Sequence, residues 1–160
     1  MVNRTVVLFY SFEGSTKKVA EIISRALRCE MVEVKPVQEL HSTGFSKYIW
    51  GGTQVFMRRK PDLHELSVDL NLYDTVLLGS PVWAWNVSPP IRTLLEKGFL
   101  RNKDIAFFCC HEGGPGDVIG KARFLIERNN RFLSAIDCPF VKRNLYKIKR
   151  IVSAWALGLR

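Results

Sequence analysis

The sequence predicts an α/β fold with one open, doubly wound parallel sheet of five strands in the order 2-1-3-4-5 and helices on both faces. Short apolar runs alternate along the chain with segments of helical spacing. No internal repeat, low-complexity tract or linker divides residues 1–160, so we expect a single domain. A turn suited to binding an anion follows the first apolar run. This order of elements places a ligand crevice at the carboxyl ends of strands one and three.

The elements of the first half are predicted from apolar and β-branched runs and from helical spacing. An irregular stretch lies between the second and third strands, and Gly51–Gly52 interrupts the helix predicted within it. The predicted elements are a strand at Val6–Tyr10, a helix at Lys17–Ala26, a strand at Cys29–Val34, a poor helix at Phe45–Met57, a loop at Pro61–Asn71 and a central strand at Thr75–Ser80.

The elements of the second half carry clearer boundary signals. Ser88 is a natural N-cap with Pro89 or Pro90 in the first turn, and Gly98 closes that helix. Pro139 lacks an amide donor, which suits an edge strand. The remaining predicted elements are a strand at Ile105–Cys110, a helix capped by Asp117, a strand at Phe132–Val141, and a helix capped by Asn144 with Ile148, Ile151, Val152 and Trp155 on one face.

The turn Ser11–Thr16 has the features of an anion site. The first amides of a helix lack partners and point out of its N-terminus. Ser11, Ser15 and Thr16 add hydroxyl donors, and Gly14 allows the backbone to come close to a bound group. The alternative is a simple helix cap, because Ser15 and Thr16 are common N-cap residues.

The segment VLFYSFEGSTKKVA is similar to the signature of the flavodoxin family, with Ser11, Gly14, Thr16 and Ala20 in the characteristic positions. The stretch KYIWGGTQVFMRRKP resembles a segment of a mainly bacterial subfamily. The resemblance implies that Ser11–Thr16 cradles the phosphate of FMN. Because a carboxylate repels a phosphate, we expect Glu13 to contribute only its backbone amide, with its side chain pointing away from the phosphate.

Two further loops are expected at the ring of the flavin. Trp83 and Trp85 would give flat apolar walls, although such residues also serve as packing plugs or partner hot spots. The resemblance places the loop after the third strand against the ring: Pro81, Val82, Trp83, Ala84, Trp85, Asn86 and Val87. Gly113, Gly114 and Gly116 would let the backbone reach the pyrimidine edge, or form only a flexible turn.

The residues that open this glycine loop are Cys110, His111 and Glu112. His111 is a candidate proton relay or hydrogen-bond donor, with a plain polar loop residue as the simpler interpretation. The four cysteines form no CxxC motif, so we expect buried reduced thiols and no metal site; a vicinal Cys109–Cys110 disulfide is the alternative. No signal peptide or spanning run is recognised, which favours a cytoplasmic protein.

The net charge of +9 departs from the acidic character usual in this family. It indicates attraction to an acidic partner, nucleic acid or an anionic surface, and the alternative is a solvated basic face without a partner. We expect Arg58, Arg59, Lys60 and the C-terminal helix to steer an acidic redox partner.

Three functions stay open. The first is an FMN-binding electron carrier, and the second an FMN-dependent oxidoreductase linked to NAD(P)H or quinones. The third is a flavin-free basic module. The absence of aromatic residues interleaved with the basic ones disfavours nucleic acid as its ligand.

Overall fold

The computed structural model of the chain describes residues 3–38 and 60–160. The helix predicted at Phe45–Met57, the KYIWGG stretch, and Arg58 and Arg59 lie outside the described residues. Within the two described ranges, no helix is long and apolar enough to cross a membrane.

Ten helices and strands and one short 3₁₀ turn make up the described fold. The strands are β1 Thr5–Phe9, β2 Glu30–Glu33, β3 Thr75–Trp83, β4 Asn86–Val87, β5 Asp104–His111 and β6 Arg131–Pro139. The α-helices are α1 Ser15–Leu27, α2 Pro89–Glu96, α3 Val118–Ile126 and α4 Leu145–Leu157, and the 3₁₀ turn is Leu70–Leu72.

Five strands form a parallel sheet in the order β2-β1-β3-β5-β6, which confirms the predicted 2-1-3-4-5 arrangement and the edge position of the last strand. The predicted strand count was one short, because β4 pairs with β3 in antiparallel fashion. Strand β3 also runs three residues beyond the predicted end at Ser80. The extension carries β3 beyond the last residues that pair with β1 and β5, before the chain turns back.

The sheet has a buried apolar layer on each face. Helices α2 and α3 cover one layer, which contains Leu8, Leu78 and Phe107; α1 and α4 cover the other, which contains Phe9 and Phe108. Side chains alternate across a strand, so neighbouring residues of each central strand serve opposite layers. Helices therefore lie on both faces, as predicted.

The helix starts differ from prediction in their caps. Gly14, and not Ser15 or Thr16, is the N-cap of α1. Ser88, Asp117 and Asn144 occupy the predicted N-cap positions, but none of their side chains makes a capping hydrogen bond. The Ser88 hydroxyl accepts instead from the buried Ser80 hydroxyl, 2.8 Å away. In α4 the predicted inward face is incomplete, because Ile151 is 41% exposed.

Candidate functional site

Three loops meet at the carboxyl edge of the sheet, following β1, β3 and β5. The loop after β1 contacts the loop after β3, since the Phe12 and Trp83 rings lie 5.7 Å apart. The loop after β3 contacts the loop after β5, since a Cβ on Gly116 would meet Trp85 side-chain atoms at 2.7 Å. The three segments expected to share one site are thus brought together.

The first loop ends at Gly14, the N-cap of α1, which has no side chain to bond the first amides of the helix. Gly14 has φ 93°, a conformation that L side chains rarely adopt, and a Cβ built on it would meet nothing within 4 Å. The Ser11 hydroxyl accepts from the Lys17 backbone N–H at 3.2 Å. The amides of the first turn before Lys17 therefore keep their outward direction and are available to an anion. Glu13 is exposed, as expected for a carboxylate kept outside.

Thr16 lies deeper than the other residues of this loop. It is 1% exposed, and its hydroxyl lies close enough to the Cys110 thiol of β5 to oppose the rise in the pKa of that thiol. The side chain therefore ties the loop to the sheet, and its predicted contact with a phosphate stays a prediction. Ser11 and Ser15 are partly exposed and keep their hydroxyls nearer the surface.

The segment after the third strand, which was predicted only as a loop, is a tight β-hairpin. Val82 pairs with Val87 and Trp83 with Asn86, which leaves Ala84 and Trp85 as a two-residue turn with φ 48° and 58°. Positive φ at both central residues defines the turn type that matches strand twist. The Asn86 side chain donates to the Ala84 carbonyl at 3.0 Å and supports this strained turn.

The two tryptophans of the hairpin have different surroundings. Trp83 packs edge-on against Tyr10 at 5.5 Å and against Phe12, so it is part of the packing between loops. Trp85 is 62% exposed at the tip, where its carbonyl accepts from the Lys121 ammonium at 3.1 Å. Trp85 is therefore the tryptophan available to a flat ligand. Sequence reasoning missed Tyr10 and Phe12 as site residues, although both aromatics flank Ser11.

The glycine loop after β5 is held by a histidine. The His111 Nδ1 accepts from the Gly114 backbone N–H at 3.0 Å, and its Nε2 lies 2.5 Å from the Asp137 carboxylate. The acceptor role of Nδ1 places the proton on Nε2, which donates to Asp137. Both ring nitrogens are thus engaged, and the side chain is only 7% exposed. This geometry favours a structural role over the proton relay considered from the sequence.

Two more features of this edge follow from strand geometry. Cys109 and Cys110 belong to opposite layers of the sheet and are free, which rules out the vicinal disulfide alternative. Burial raises the pKa of the Cys109 thiol, and the adjacent Cys138 thiol together with burial raises that of Cys110. Within residues 3–38 and 60–160, no group of three or more His, Cys, Asp or Glu residues is arranged to hold a metal ion.

The loops fit a ligand that has an anionic end and a flat ring. Open space surrounds Gly14 on one side of the edge and Gly113 and Gly114 on the other, so backbone there is accessible to a bound group. The first amides of α1 suit the anion, and the exposed Trp85 suits a planar apolar surface. An α/β protein with such a loop after the first strand is a nucleotide-binding protein of the doubly wound class.

Comparisons with known proteins agree with this class and identify a family within it. The sequence model of the flavodoxin family matches residues 4–123. The chain belongs to the flavodoxin family. No curated protein sequence matches it significantly.

Solved structures show the same fold. A flavoprotein from Lactobacillus acidophilus NCFM, solved in complex with FMN, is 25% identical, covers 91% of this chain and 98% of its own, and superposes with a TM-score of 0.69. A protein from Bacteroides uniformis is 18% identical over 94% and 97% of the two chains, with a TM-score of 0.78. Oxidised flavodoxin 2 from Bacillus cereus is 16% identical over 96% and 95%, with a TM-score of 0.62.

Proposed function

We propose that this protein binds FMN at the carboxyl edge of its sheet and carries electrons between redox partners. The observation that carries the proposal is the pairing of a helix start with a glycine N-cap, Gly14, and an exposed tryptophan, Trp85, on the same edge. Membership of the flavodoxin family and the FMN complex of the Lactobacillus acidophilus relative support the choice of cofactor.

Each loop has a separate task in binding the cofactor. The first amides of α1 hold the phosphate, because they lie at the positive end of a helix dipole. The oxygen of the Ser11 hydroxyl accepts from the Lys17 N–H, which leaves the hydroxyl proton to donate to the phosphate. Trp85 covers the ring, and the Gly113–Gly114 backbone approaches its polar edge. The bound flavin supplies the redox chemistry, while the chain binds it, orients it and excludes water from it.

The surroundings of the site favour a carrier over a substrate-specific oxidoreductase. His111, the nearest candidate acid or base, has both ring nitrogens engaged by Gly114 and Asp137. Glu13 is exposed, where it is well solvated. Among the described residues of the three loops, neither group is thus poised to move a proton at a substrate. The proposal places the protein in the cytoplasm, because four free cysteines are typical of a reducing compartment.

The proposal is tested by reconstitution. Apo-protein is titrated with FMN and with riboflavin, and binding is followed by visible absorbance and by quenching of flavin fluorescence. We expect one equivalent of FMN to bind, with riboflavin markedly weaker because it lacks the phosphate held by α1. Equal affinity for the two flavins, or no binding, would contradict the assignment of the phosphate loop.

A further inference from the structure

The net positive charge of this protein comes from two segments of the chain. Residues 15–28 and 138–160 contain ten Lys or Arg and one acidic residue, Glu21, for a net of +9. The rest of the chain contains fourteen Lys or Arg and fourteen Asp or Glu, so the net charge of the whole molecule, also +9, comes from these two segments.

The two segments are neighbours in the fold. They supply α1 and α4, which cover the same face of the sheet and share one apolar layer through Val19, Ile23, Ile148 and Val152. All ten cations are exposed: Lys17, Lys18, Arg25, Arg28, Lys142, Arg143, Lys147, Lys149, Arg150 and Arg160. Within the described ranges none of them forms an ion pair with a carboxylate. We call this surface the basic face.

Lys60 does not belong to the basic face, contrary to the expectation from the sequence. Its ammonium lies 2.8 Å from the Glu96 carboxylate of α2, a helix that covers the opposite side of the sheet. Its charge is therefore balanced locally. Among the described residues, the ten cations of the basic face have no such carboxylate partner.

The basic face is continuous with the proposed FMN site. Helix α1 begins at the phosphate loop, which puts Lys17 and Lys18 in its first turn. The turn that leads into α4 is tied to the glycine loop, because the Phe140 N–H donates to the His111 carbonyl at 2.9 Å. Lys142 and Arg143 follow directly. Cations thus reach the cofactor edge from both helices.

We propose that the basic face docks an acidic electron-transfer protein with its redox centre next to the FMN edge. Charge complementarity selects the class of partner, because unpaired cations raise the association rate of an acidic surface and repel a basic one. Exposed apolar side chains lie among the cations and provide contact area, above all Tyr146, which is 85% exposed. This proposal rests on the electron-carrier function proposed above.

The experiment uses the FMN-loaded full chain and two double variants with the same change in charge. Lys142→Glu with Lys147→Glu alters the basic face, whereas Arg101→Glu with Arg128→Glu alters exposed cations at the opposite edge of the sheet. Second-order rates of electron exchange are measured by stopped flow with an acidic plant-type [2Fe–2S] ferredoxin across a salt series. Thermal unfolding of each variant controls for stability.

We expect the Lys142/Lys147 variant to react about 10-fold more slowly at low salt, the Arg101/Arg128 variant less than twofold more slowly, and the difference to vanish at high salt. Equal slowing of both variants, or rates flat with salt, would overturn the docking surface while leaving the carrier function intact. Absence of exchange with ferredoxin in the wild type would refute the carrier function itself.

Two other anionic partners are tested with the same pair of variants. Wild-type protein is mixed with phosphatidylserine vesicles and with a single-stranded oligonucleotide, and binding is followed by co-sedimentation and by fluorescence anisotropy. Weak binding to vesicles and oligonucleotide that both variants retain supports an acidic protein as the partner of the basic face. Tight binding that only the Lys142/Lys147 variant loses, together with unchanged ferredoxin rates, would assign the basic face to a membrane or nucleic acid instead.

Discussion

Replacement of Gly14 by alanine tests the phosphate site with little effect on the rest of the fold. Its φ of 93° disfavours any L side chain, which costs about 1–3 kcal/mol for such a strained position. The new methyl group would meet no protein atom within 4 Å, so the free protein suffers backbone strain without a clash. The open space it enters is where we expect the phosphate. We therefore predict a modest loss of stability and a larger loss of FMN affinity.

The affinity loss follows from the hydrogen bonds that the loop gives the phosphate. Displacing one bond to a charged group costs about 1.5–3 kcal/mol, or roughly 10- to 150-fold in the dissociation constant. Riboflavin has no phosphate, so its affinity should change by less than about threefold, on the order of 0.6 kcal/mol. The ratio of the two dissociation constants isolates the effect from any general loosening of the site.

Gly98 offers a matched control. It also has positive φ, 71°, but it ends α2, and the nearest atoms to its added methyl group belong to the Arg101 guanidinium, the far end of a long side chain. Gly98→Ala should lower the melting temperature about as much as Gly14→Ala and leave the affinity for both flavins unchanged. The assays are fluorescence titration and differential scanning calorimetry. If Gly14→Ala weakens riboflavin as much as FMN, the loop does not hold the phosphate.

Three further predictions concern the ring, the glycine loop and pH. Trp85→Ala should restore flavin fluorescence and weaken the binding of FMN and riboflavin equally, because Trp85 contacts the ring that both share. Unchanged emission would show that the ring does not lie against Trp85. His111→Asn keeps an acceptor for the Gly114 N–H, so it should retain more affinity for both flavins than His111→Gln does, and the reverse order would contradict the loop-holding role. Hydrogen bonding to Arg131 holds the pKa of Asp104 below its usual value. The ionised carboxylate therefore stabilises the folded state above about pH 4, and this stabilisation is lost as the pH falls through the pKa of Asp104 in the folded protein. Asp104→Asn should therefore be less stable than the wild type at neutral pH, with the gap closing in acid unfolding curves.

The strands and helices were predictable because each has a strong local signal. Runs such as Val6–Tyr10 and Ile105–Cys110 are apolar throughout, which is what a strand buried on both faces requires. The hairpin had no such signal. Its turn residues, Ala84 and Trp85, are not the Gly, Asn or Asp that positive φ normally selects, so the segment was predicted only as a loop.

The partner of His111 could not be found from the sequence for a different reason. Asp137 reaches His111 only through the register of β5 and β6, which pairs Cys109 with Asp137. That register shifts at an irregularity between Ile105 and Ala106, and a shift of one residue moves every following side chain to the other face. Long-range register of this kind is set by tertiary packing.

The most direct test of the carrier function compares electron donors for the FMN-loaded protein. Under anaerobic conditions, reduction of the bound flavin is followed by stopped-flow absorbance with NADH, with NADPH and with reduced acidic ferredoxin. We predict rapid second-order reduction by ferredoxin that slows as salt rises, and only slow, unsaturable reduction by either nicotinamide. Saturable, rapid reduction by NADH or NADPH, together with inert ferredoxin, would show that the protein is an oxidoreductase and not an electron carrier.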